Sequence, residues 1–327
     1  MPARALTSLV PAVVGSALLA LSPLTAQAAQ AAPPTQHTPS AQAPQPPRTP
    51  RPTRTAPDIA AQGATLIDGA TGTSLFGKEA DTVRPIASTA KIMVASVVLD
   101  AQGTDLERRV PVKQEYRDFV AQHGSSTADL QTGDKLTVRQ LLYATLLPSG
   151  ADAAYALADT FGTGATSNER TASFIAQMNR KAAELGLTHT KFDSFDGAGT
   201  DAGTPNELAR LARHAMRNDT FRTAVKTKQY KGEAPAANGR TRYYTWNNTN
   251  RLLGSYDGVI GIKTGTTTPA GDCLVFAATR GDKTLIGTIL NSKDRYADAV
   301  ELLDHGFGTT KAKALKLRAL PANTPHN

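Results

Sequence analysis

The stretch GVIGIKTGTTTPAGDCLVFAATRGDKTLIGTILN, residues 258–291, decides the fold. It contains three strand-like runs, Gly258–Lys263, Asp272–Thr279 and Lys283–Asn291. A second strand-like region lies towards the other end of the chain, where residues 64–68 and 73–76 flank a Gly-Ala-Thr-Gly turn. Strands at both ends of the folded region predict one antiparallel sheet to which both chain ends contribute.

The segment between these strands is predicted to be mainly helical. Ile92, Ala95 and Leu99 fall on one face of a helix that starts near Ser88. Further helices are predicted over residues 137–147, 151–161, 168–185 and 205–217, and a last one over residues 295–305. The predicted fold class is therefore α/β in the α+β sense, an antiparallel sheet flanked by helices with a mostly helical subdomain beside it.

The formal net charge of +8 does not indicate a nucleic-acid partner. Four of the 36 lysines and arginines lie in residues 1–57, which hold no acidic residue, so 32 remain against the 28 acidic residues from Asp58 onward. That excess is too small to predict a basic surface for nucleic acid. It suits, at most, weak attraction to an anionic surface or substrate.

The N-terminus has the pattern of an export signal. Arg4, the apolar run from Leu6 to Leu21 and the small-residue site Ala26-Gln27-Ala28 predict a signal peptide over residues 1–28. The protein is therefore expected to be secreted or extracytoplasmic, beyond the cytoplasmic membrane or at its outer face. An uncleaved anchor is the alternative, and membrane contact is expected only in that case.

Three further segments follow the predicted signal. Residues 29–57 hold nine prolines and predict a disordered tether. Residues 58–309 are predicted to be the folded domain, and residues 310–327 a C-terminal tail. The single cysteine, Cys273, lies in an apolar run and is interpreted as a small buried hydrophobe. Since no Cys or His cluster has the spacing of metal ligands, we expect neither a metal nor an organic cofactor.

The segment Ser88-x-x-Lys91 carries the first chemical signal. Residues three apart on a helix share a face, so the Ser88 hydroxyl and the Lys91 amine can meet. A serine becomes a good nucleophile when a base removes its proton, which a lysine can do if its pKa is lowered. The alternative is an N-capping serine with a solvated lysine, but the apolar neighbours Ile86 and Ile92–Val94 weaken it.

Two later stretches carry weaker signals. Ser149 lies at a corner between two apolar helices and either projects into a cleft or caps the following helix. Lys263 and Gly265 fall on one face at the end of an apolar strand, and the glycine permits close approach of a substrate or another backbone. There, Lys263 would attract a carboxylate and lower the pKa of Lys91, unless it is simply a surface lysine.

Together, Ser88-x-x-Lys91, Ser149-Gly150-Ala151 and Lys263-Thr264-Gly265 resemble the S-x-x-K, S-x-N and K-T-G motifs of penicillin-binding proteins and serine β-lactamases. Residues 248–253, 258–265 and 270–275 narrow the similarity to low-molecular-weight D-alanyl-D-alanine carboxypeptidases. The similarity runs from about residue 60 to about residue 308. It implies a β-lactamase/transpeptidase-like fold.

The resemblance also implies catalytic roles. Ser88 would be the acylated nucleophile, Lys91 the general base, and Ser149 the relay that carries the proton to the leaving amine. The backbone N–H groups of Ser88 and Thr266 would form the oxyanion hole.

Substrate-binding roles follow in the same way. Lys263, Thr264, Gly265 and Thr266 would line the opposite wall of the site and bind the substrate carboxylate. Arg295 falls where the family often places an arginine that contacts the terminal carboxylate. The implied partners are a peptidoglycan stem peptide ending in D-Ala-D-Ala and, as covalent inhibitors, β-lactam antibiotics.

The implied function is a serine-type D-Ala-D-Ala carboxypeptidase, and three alternatives stay open. A β-lactamase or a DD-transpeptidase would use the same nucleophile, and a catalytically impaired peptidoglycan-binding protein would keep the fold. The last is prompted by Ala151, which stands where the family usually has asparagine. Losing one hydrogen bond costs about 1 kcal/mol, so we expect altered efficiency rather than inactivity.

Overall fold

The computed structural model describes residues 56–309, 315–322 and 324; the predicted signal peptide and the tether up to residue 55 lie outside that range. The strands are β1 (Gly63–Asp68), β2 (Ser74–Lys78), β3 (Arg84–Pro85), β4 (Arg109–Pro111), β5 (Lys135–Thr137), β6 (Ala202–Gly203), β7 (Gln229–Pro235), β8 (Thr241–Asn247), β9 (Val259–Thr267), β10 (Gly271–Arg280) and β11 (Lys283–Ser292). The helices are α1 (Lys91–Asp100), α2 (Gln114–His123), α3 (Val138–Leu146), α4 (Ala151–Phe161), α5 (Ser167–Glu184), α6 (Pro205–Ala215), α7 (Asp219–Lys226) and α8 (Arg295–Phe307). A 3-10 turn, Ala87–Ala90, leads directly into α1.

The main sheet has five antiparallel strands in the order β2-β1-β11-β10-β9. Strand β1, from the start of the folded region, pairs with β11, from its end, over Gly63 to Asp68. The prediction of one sheet built from both chain ends is therefore confirmed. Strand β9 is an edge strand with β10 as its partner, which leaves its other side free to face the helices.

Alternation along β10 assigns the two faces of the sheet. Leu274 and Phe276 enter a core that they share with α8, whereas Val275 and Ala277 enter a larger core that contains most of α1 and α6. Successive strand side chains point to opposite faces, so this apolar strand is buried on both sides. The result is a layered domain with α8 on one face and the helical subdomain on the other.

Helix α1 is buried over its whole circumference from Lys91 to Val98. A helix that is apolar all round belongs in the centre of a core rather than at its surface. Lys91 thus occupies the first position of a helix that is enclosed by the core. Within the described residues, no helix is both long and apolar enough to cross a bilayer.

Three local predictions differ from the structure. Ser88 lies in the 3-10 turn, and the α-helix begins only at Lys91. Helix α2 was not predicted because Tyr116 is its one buried residue, which leaves little apolar periodicity. The β7–β8 hairpin was also missed, although Tyr244 and Trp246 alternate with exposed neighbours.

The predicted C-terminal tail is partly packed against the domain. Leu315 and Leu317 contact the core between α8 and the sheet. The boundary predicted at residue 309 therefore excludes a segment that contributes to the folded unit.

Candidate active site

Ser88 and Lys91 meet at the junction of the 3-10 turn and α1. The Lys91 Nζ donates to the Ser88 Oγ at 2.9 Å and to the backbone carbonyl of Asp196 at 2.8 Å. In a 3-10 helix, side chains three residues apart lie nearly one above the other. The 3-10 turn that leads into Lys91 therefore places the Ser88 and Lys91 side chains on the same side. Ser88 is 8% exposed and Lys91 1%, so both residues are buried and the amine more completely.

The environment of Lys91 sets its pKa by two opposing effects. Burial favours the neutral amine and lowers the pKa, whereas the negative charges of Asp196, Asp152 and Asp201 raise it. Burial is the larger effect, so the pKa of Lys91 lies below its ordinary value. A base with a reduced pKa and a serine hydroxyl within hydrogen-bonding distance form an activated nucleophile.

Gly265 brings the edge strand β9 against this nucleophile. A Cβ atom at Gly265 would lie 2.9 Å from the Ser88 backbone nitrogen and 3.1 Å from both the Ala87 Cβ and the Thr89 nitrogen. Only glycine allows the strand to come so close to the 3-10 turn. The predicted approach of the Lys-Thr-Gly stretch to Ser88 therefore has a direct steric basis.

Lys263 is buried on the same strand, which argues against a surface lysine. It is 1% exposed, and its Nζ donates to the Thr264 carbonyl at 2.9 Å. Burial, and then the positive charges of Lys91 and Arg295, hold the pKa of Lys263 well below its usual value. The pKa of Lys91 itself is set by its own burial and by nearby carboxylates, so the predicted lowering of that pKa by Lys263 stays a prediction.

Arg295 orients the peptide group between Gly265 and Thr266. Its Nη1 donates to the carbonyls of Gly265 at 2.9 Å and of the cross-strand residue Cys273 at 3.1 Å, so the Gly265 carbonyl faces β10. The N–H of the next residue in a trans peptide points the opposite way, towards the free edge of β9 and Ser88. The Thr266 N–H thus faces the side predicted for the oxyanion hole.

The guanidinium of Arg295 also binds the Thr266 Oγ1 at 2.9 Å and is buried. Arg295 was predicted to contact the substrate directly. In this structure it binds the backbone and side chain of the strand that lines the site, and direct contact with substrate stays a prediction.

The Ser149 turn is the least satisfied part of the site. Ser149 is fully buried, has a left-handed backbone with φ of 66°, and its Oγ has no hydrogen-bond partner among the described residues. The N-cap of α4 is Gly150, which makes no side-chain cap, so Ser149 does not act as the capping residue. A buried hydroxyl without a partner is costly and marks a position held for a reason other than stability.

Thr249 links this turn to β9 and was not singled out as a site residue by the sequence. Its backbone N–H donates to the Leu147 carbonyl at 3.1 Å, just before the Ser149 turn. Its Oγ1 lies 2.6 Å from the Thr264 Oγ1. The only sequence signal was its position in the Asn248–Leu253 segment that carries the family resemblance.

The Asp196 carbonyl that holds Lys91 was likewise missed. It is a backbone acceptor in the loop between α5 and β6, and a backbone group has no side-chain motif. That loop approaches Ser88 closely, because a Cβ at Gly197 would lie 2.0 Å from the Ala87 carbonyl oxygen.

Comparison with known proteins gives a consistent result. A family model described as D-alanyl-D-alanine carboxypeptidase matches residues 51–294. The chain is similar to a D-alanyl-D-alanine carboxypeptidase of Streptomyces sp. strain K15, with 50% identity over 259 residues that cover 77% of this chain and 89% of the relative. It is also 34% identical over 261 residues to the carboxypeptidase DacB2 of Mycobacterium tuberculosis, covering 77% of this chain and 84% of that protein.

Among solved structures, the crystal structure of the Streptomyces K15 DD-transpeptidase matches with a TM-score of 0.77 and 50% identity, covering 78% of this chain and 100% of that one. The fold, the motif geometry and the extent of these matches lead to one assignment. The chain belongs to the D-alanyl-D-alanine carboxypeptidase family of serine peptidases.

Proposed function

We propose that the protein removes the terminal D-Ala from peptidoglycan stem peptides through an acyl-enzyme on Ser88. The observation that carries this proposal is the Lys91–Ser88 hydrogen bond of 2.9 Å, formed where Gly265 brings β9 against Ser88. A nucleophile, its base and the edge strand β9 then surround one place where a carbonyl can react.

The acylation step follows from these positions. Lys91 takes the proton of Ser88 as the serine oxygen bonds to the carbonyl carbon of the penultimate D-Ala. The N–H groups of Ser88 and Thr266 stabilise the negative charge on the carbonyl oxygen. The C–N bond then breaks, and the proton passes through the Ser149 hydroxyl to the amine of the departing D-Ala.

The deacylation step restores the enzyme. Water attacks the ester carbon and gives its proton to Lys91, and the Ser88–acyl bond breaks as the proton returns to the serine oxygen. The shortened peptide leaves as a carboxylic acid. Lys263, Thr264 and Thr266 bind the carboxylate of the substrate, and Arg295 is proposed to assist them from behind the strand.

A fluorescent penicillin and the peptide diacetyl-L-Lys-D-Ala-D-Ala test this function together. The wild-type protein should form a stable adduct and release D-Ala, whereas Ser88→Ala should do neither. Arg109→Ala is the matched control, since Arg109 is exposed and lies on β4, outside the site. If the wild type binds the peptide without releasing D-Ala, the function is that of a wall-binding protein.

Transpeptidation is a second candidate, favoured by one specific observation. The similar Streptomyces K15 protein bears both names, carboxypeptidase and DD-transpeptidase. An amine can replace water in the second step, so a glycyl acceptor should be added to the same assay. A dominant amide product would assign the protein as a transpeptidase, and turnover of the penicillin adduct within seconds would assign it as a β-lactamase.

A location outside the cytoplasm fits a substrate in the cell wall, and we propose that residues 1–28 act as a cleaved signal. N-terminal sequencing of protein recovered from the culture medium or the wall checks this. A mature chain that begins near residue 29 is the expected result. Recovery of the intact N-terminus in the membrane fraction would instead support an anchor.

A further inference from the structure

Arg318 reaches from the C-terminal segment to the backbone on both sides of Thr249. Its Nη2 donates to the carbonyl of Asn248 and, at 3.2 Å, to the carbonyl of Asn250. The Arg318 backbone is fixed in return, because its carbonyl accepts from the Arg251 Nε at 3.0 Å. One side chain thus clamps the two residues that flank the link between β9 and the Ser149 turn.

The clamped segment depends on such donors. Residues 248–250 lie between β8 and β9 and are nearly inaccessible to solvent. The middle carbonyl, that of Thr249, accepts from the Tyr296 hydroxyl of α8 at 2.9 Å. Side chains from the C-terminal part of the chain thus donate to three consecutive buried carbonyls. The Asn250 carbonyl also accepts from the Leu253 N–H at 3.3 Å, so loss of Arg318 removes a donor mainly from Asn248.

The Arg318 side chain contacts the loop beside the active site, in addition to the apolar contacts that attach the C-terminal segment to the domain. Leu315 and Leu317 already attach the segment to the core beside α8. Arg318 extends beyond that apolar contact to the loop that carries Thr249. Residue 318 also lies outside residues 51–294, which the family model matches, so family membership does not assign it.

We propose that Arg318 is a positioning residue of the active site: it holds the Asn248–Asn250 backbone so that Thr249 keeps Thr264 and the Ser149 turn at their working separation. The inference rests on the proposed acyl-transfer function. Arg318 touches no reacting atom in this arrangement. It acts through the Thr249 Oγ1, which lies 2.6 Å from the Thr264 Oγ1, and through the Thr249 N–H on the Leu147 carbonyl.

The test measures the second-order rate constant of Ser88 acylation by a fluorescent penicillin in the full-length protein. We expect Arg318→Ala to acylate about ten-fold more slowly, because sub-ångström displacement of positioning groups costs one to two orders of magnitude. Arg318→Lys keeps the charge and one donor, so it should lose only about three-fold. This second variant keeps the test decisive if the alanine variant folds poorly.

A double-mutant cycle with Thr249→Val separates positioning from stability. If Arg318 acts partly through the Thr249 side chain, Arg318→Ala should slow acylation less in the Thr249→Val background than in the wild type. Arg280→Ala is the matched control. It removes a guanidinium from the same region, where Arg280 packs over Tyr256 and Phe307 without touching residues 248–250. It should lower the melting temperature and leave the acylation rate unchanged.

The outcomes are distinguishable. An Arg318→Ala protein that acylates at the wild-type rate, or multiplicative effects in the cycle, would overturn the positioning role while leaving the function intact. Equal losses in Arg280→Ala and Arg318→Ala would overturn it as well, since the effect would then follow stability alone. A wild-type protein that does not react with penicillin would remove the proposed function, and this inference with it.

Discussion

The two walls of the site each bury a lysine, but they surround it with opposite charges. On the α1 side, Lys91 has carboxylates nearby, Asp196 first among them, and they partly restore its pKa. On the β9 side, Lys263 has only the cations Lys91 and Arg295 as the charged groups that shift its pKa, and both lower it further. Equal burial therefore produces two chemically different amines.

This difference assigns a separate task to each amine. Lys91 can accept the proton of Ser88, because the surrounding carboxylates stabilise the ammonium that results. No carboxylate among the described residues pairs with Lys263, so an anion that enters the site would supply the counter-ion. A substrate carboxylate would raise the pKa of Lys263 on binding and gain a strong, charge-assisted contact.

The largest expected effect tests the base on the α1 side. Lys91→Met keeps the length and the apolar packing of the side chain but removes the proton acceptor. We expect the acylation rate to fall by about 10³-fold, within the range for loss of a general base. Stopped-flow acylation by penicillin measures it, with melting temperature as the folding control. A folded Lys91→Met protein that still acylates within ten-fold of the wild-type rate would contradict the role of Lys91 as the general base.

The second effect tests the β9 side. Lys263→Met removes the proposed partner of the substrate carboxylate, so kcat/KM for the peptide should fall by about 10²-fold, mainly through KM. The same change should stabilise the fold by about 1–3 kcal/mol, because it removes a buried amine whose protonated form is desolvated and repelled by Lys91 and Arg295. Activity and stability are thus expected to move in opposite directions, which steady-state kinetics and thermal unfolding can show.

The pH dependence of the stability gained in Lys263→Met distinguishes an electrostatic cause from improved packing. The folded pKa of Lys263 lies below 10.5, the value of the free side chain, so the unfolded state binds more protons between the two values. Wild-type stability therefore rises with pH in this window, while the methionine variant lacks this contribution. The advantage of Lys263→Met should be largest below the folded pKa and shrink as the pH approaches 10.5. A constant advantage at every pH would point to packing instead.

The sequence predicted the different surroundings of Lys91 and Lys263 only in part. Ser88, Lys91 and Lys263 could be identified because each is a polar side chain inside an apolar run, and the sheet could be predicted from the runs on either side of Gly265. The counter-charges could not, since Asp152, Asp196 and Asp201 come from separate segments that only the tertiary fold brings to Lys91. Short-range patterns carry no information about such long-range proximity.

The third prediction concerns the carboxylates themselves. Asp196→Asn keeps the backbone carbonyl that binds Lys91 but removes the largest charge that raises its pKa. The pKa of Lys91 should fall further, so the rise of the acylation rate with pH should shift to lower pH. Asp118→Asn on exposed α2 is the control and should not shift the profile. A shift to higher pH would contradict the electrostatic account.

The smallest effect is expected at the Ser149 turn. Neither the α1 side nor the β9 side of the site provides a hydrogen-bond partner for the Ser149 Oγ among the described residues. Ala151→Asn would restore the amide that the family usually carries next to the unpartnered Ser149 Oγ. We expect kcat/KM for the peptide to rise by about five-fold, equivalent to one hydrogen bond of about 1 kcal/mol.

The extra volume at this fully buried position should lower stability by about 1–3 kcal/mol. Ala151→Leu is the matched control, because it fills the same space without the amide and should lose stability with no gain in activity. If the asparagine and leucine variants behave alike, the hydrogen bond contributes nothing and only packing matters at this turn. If asparagine alone raises the rate, alanine at position 151 limits a site whose two lysines are already in place.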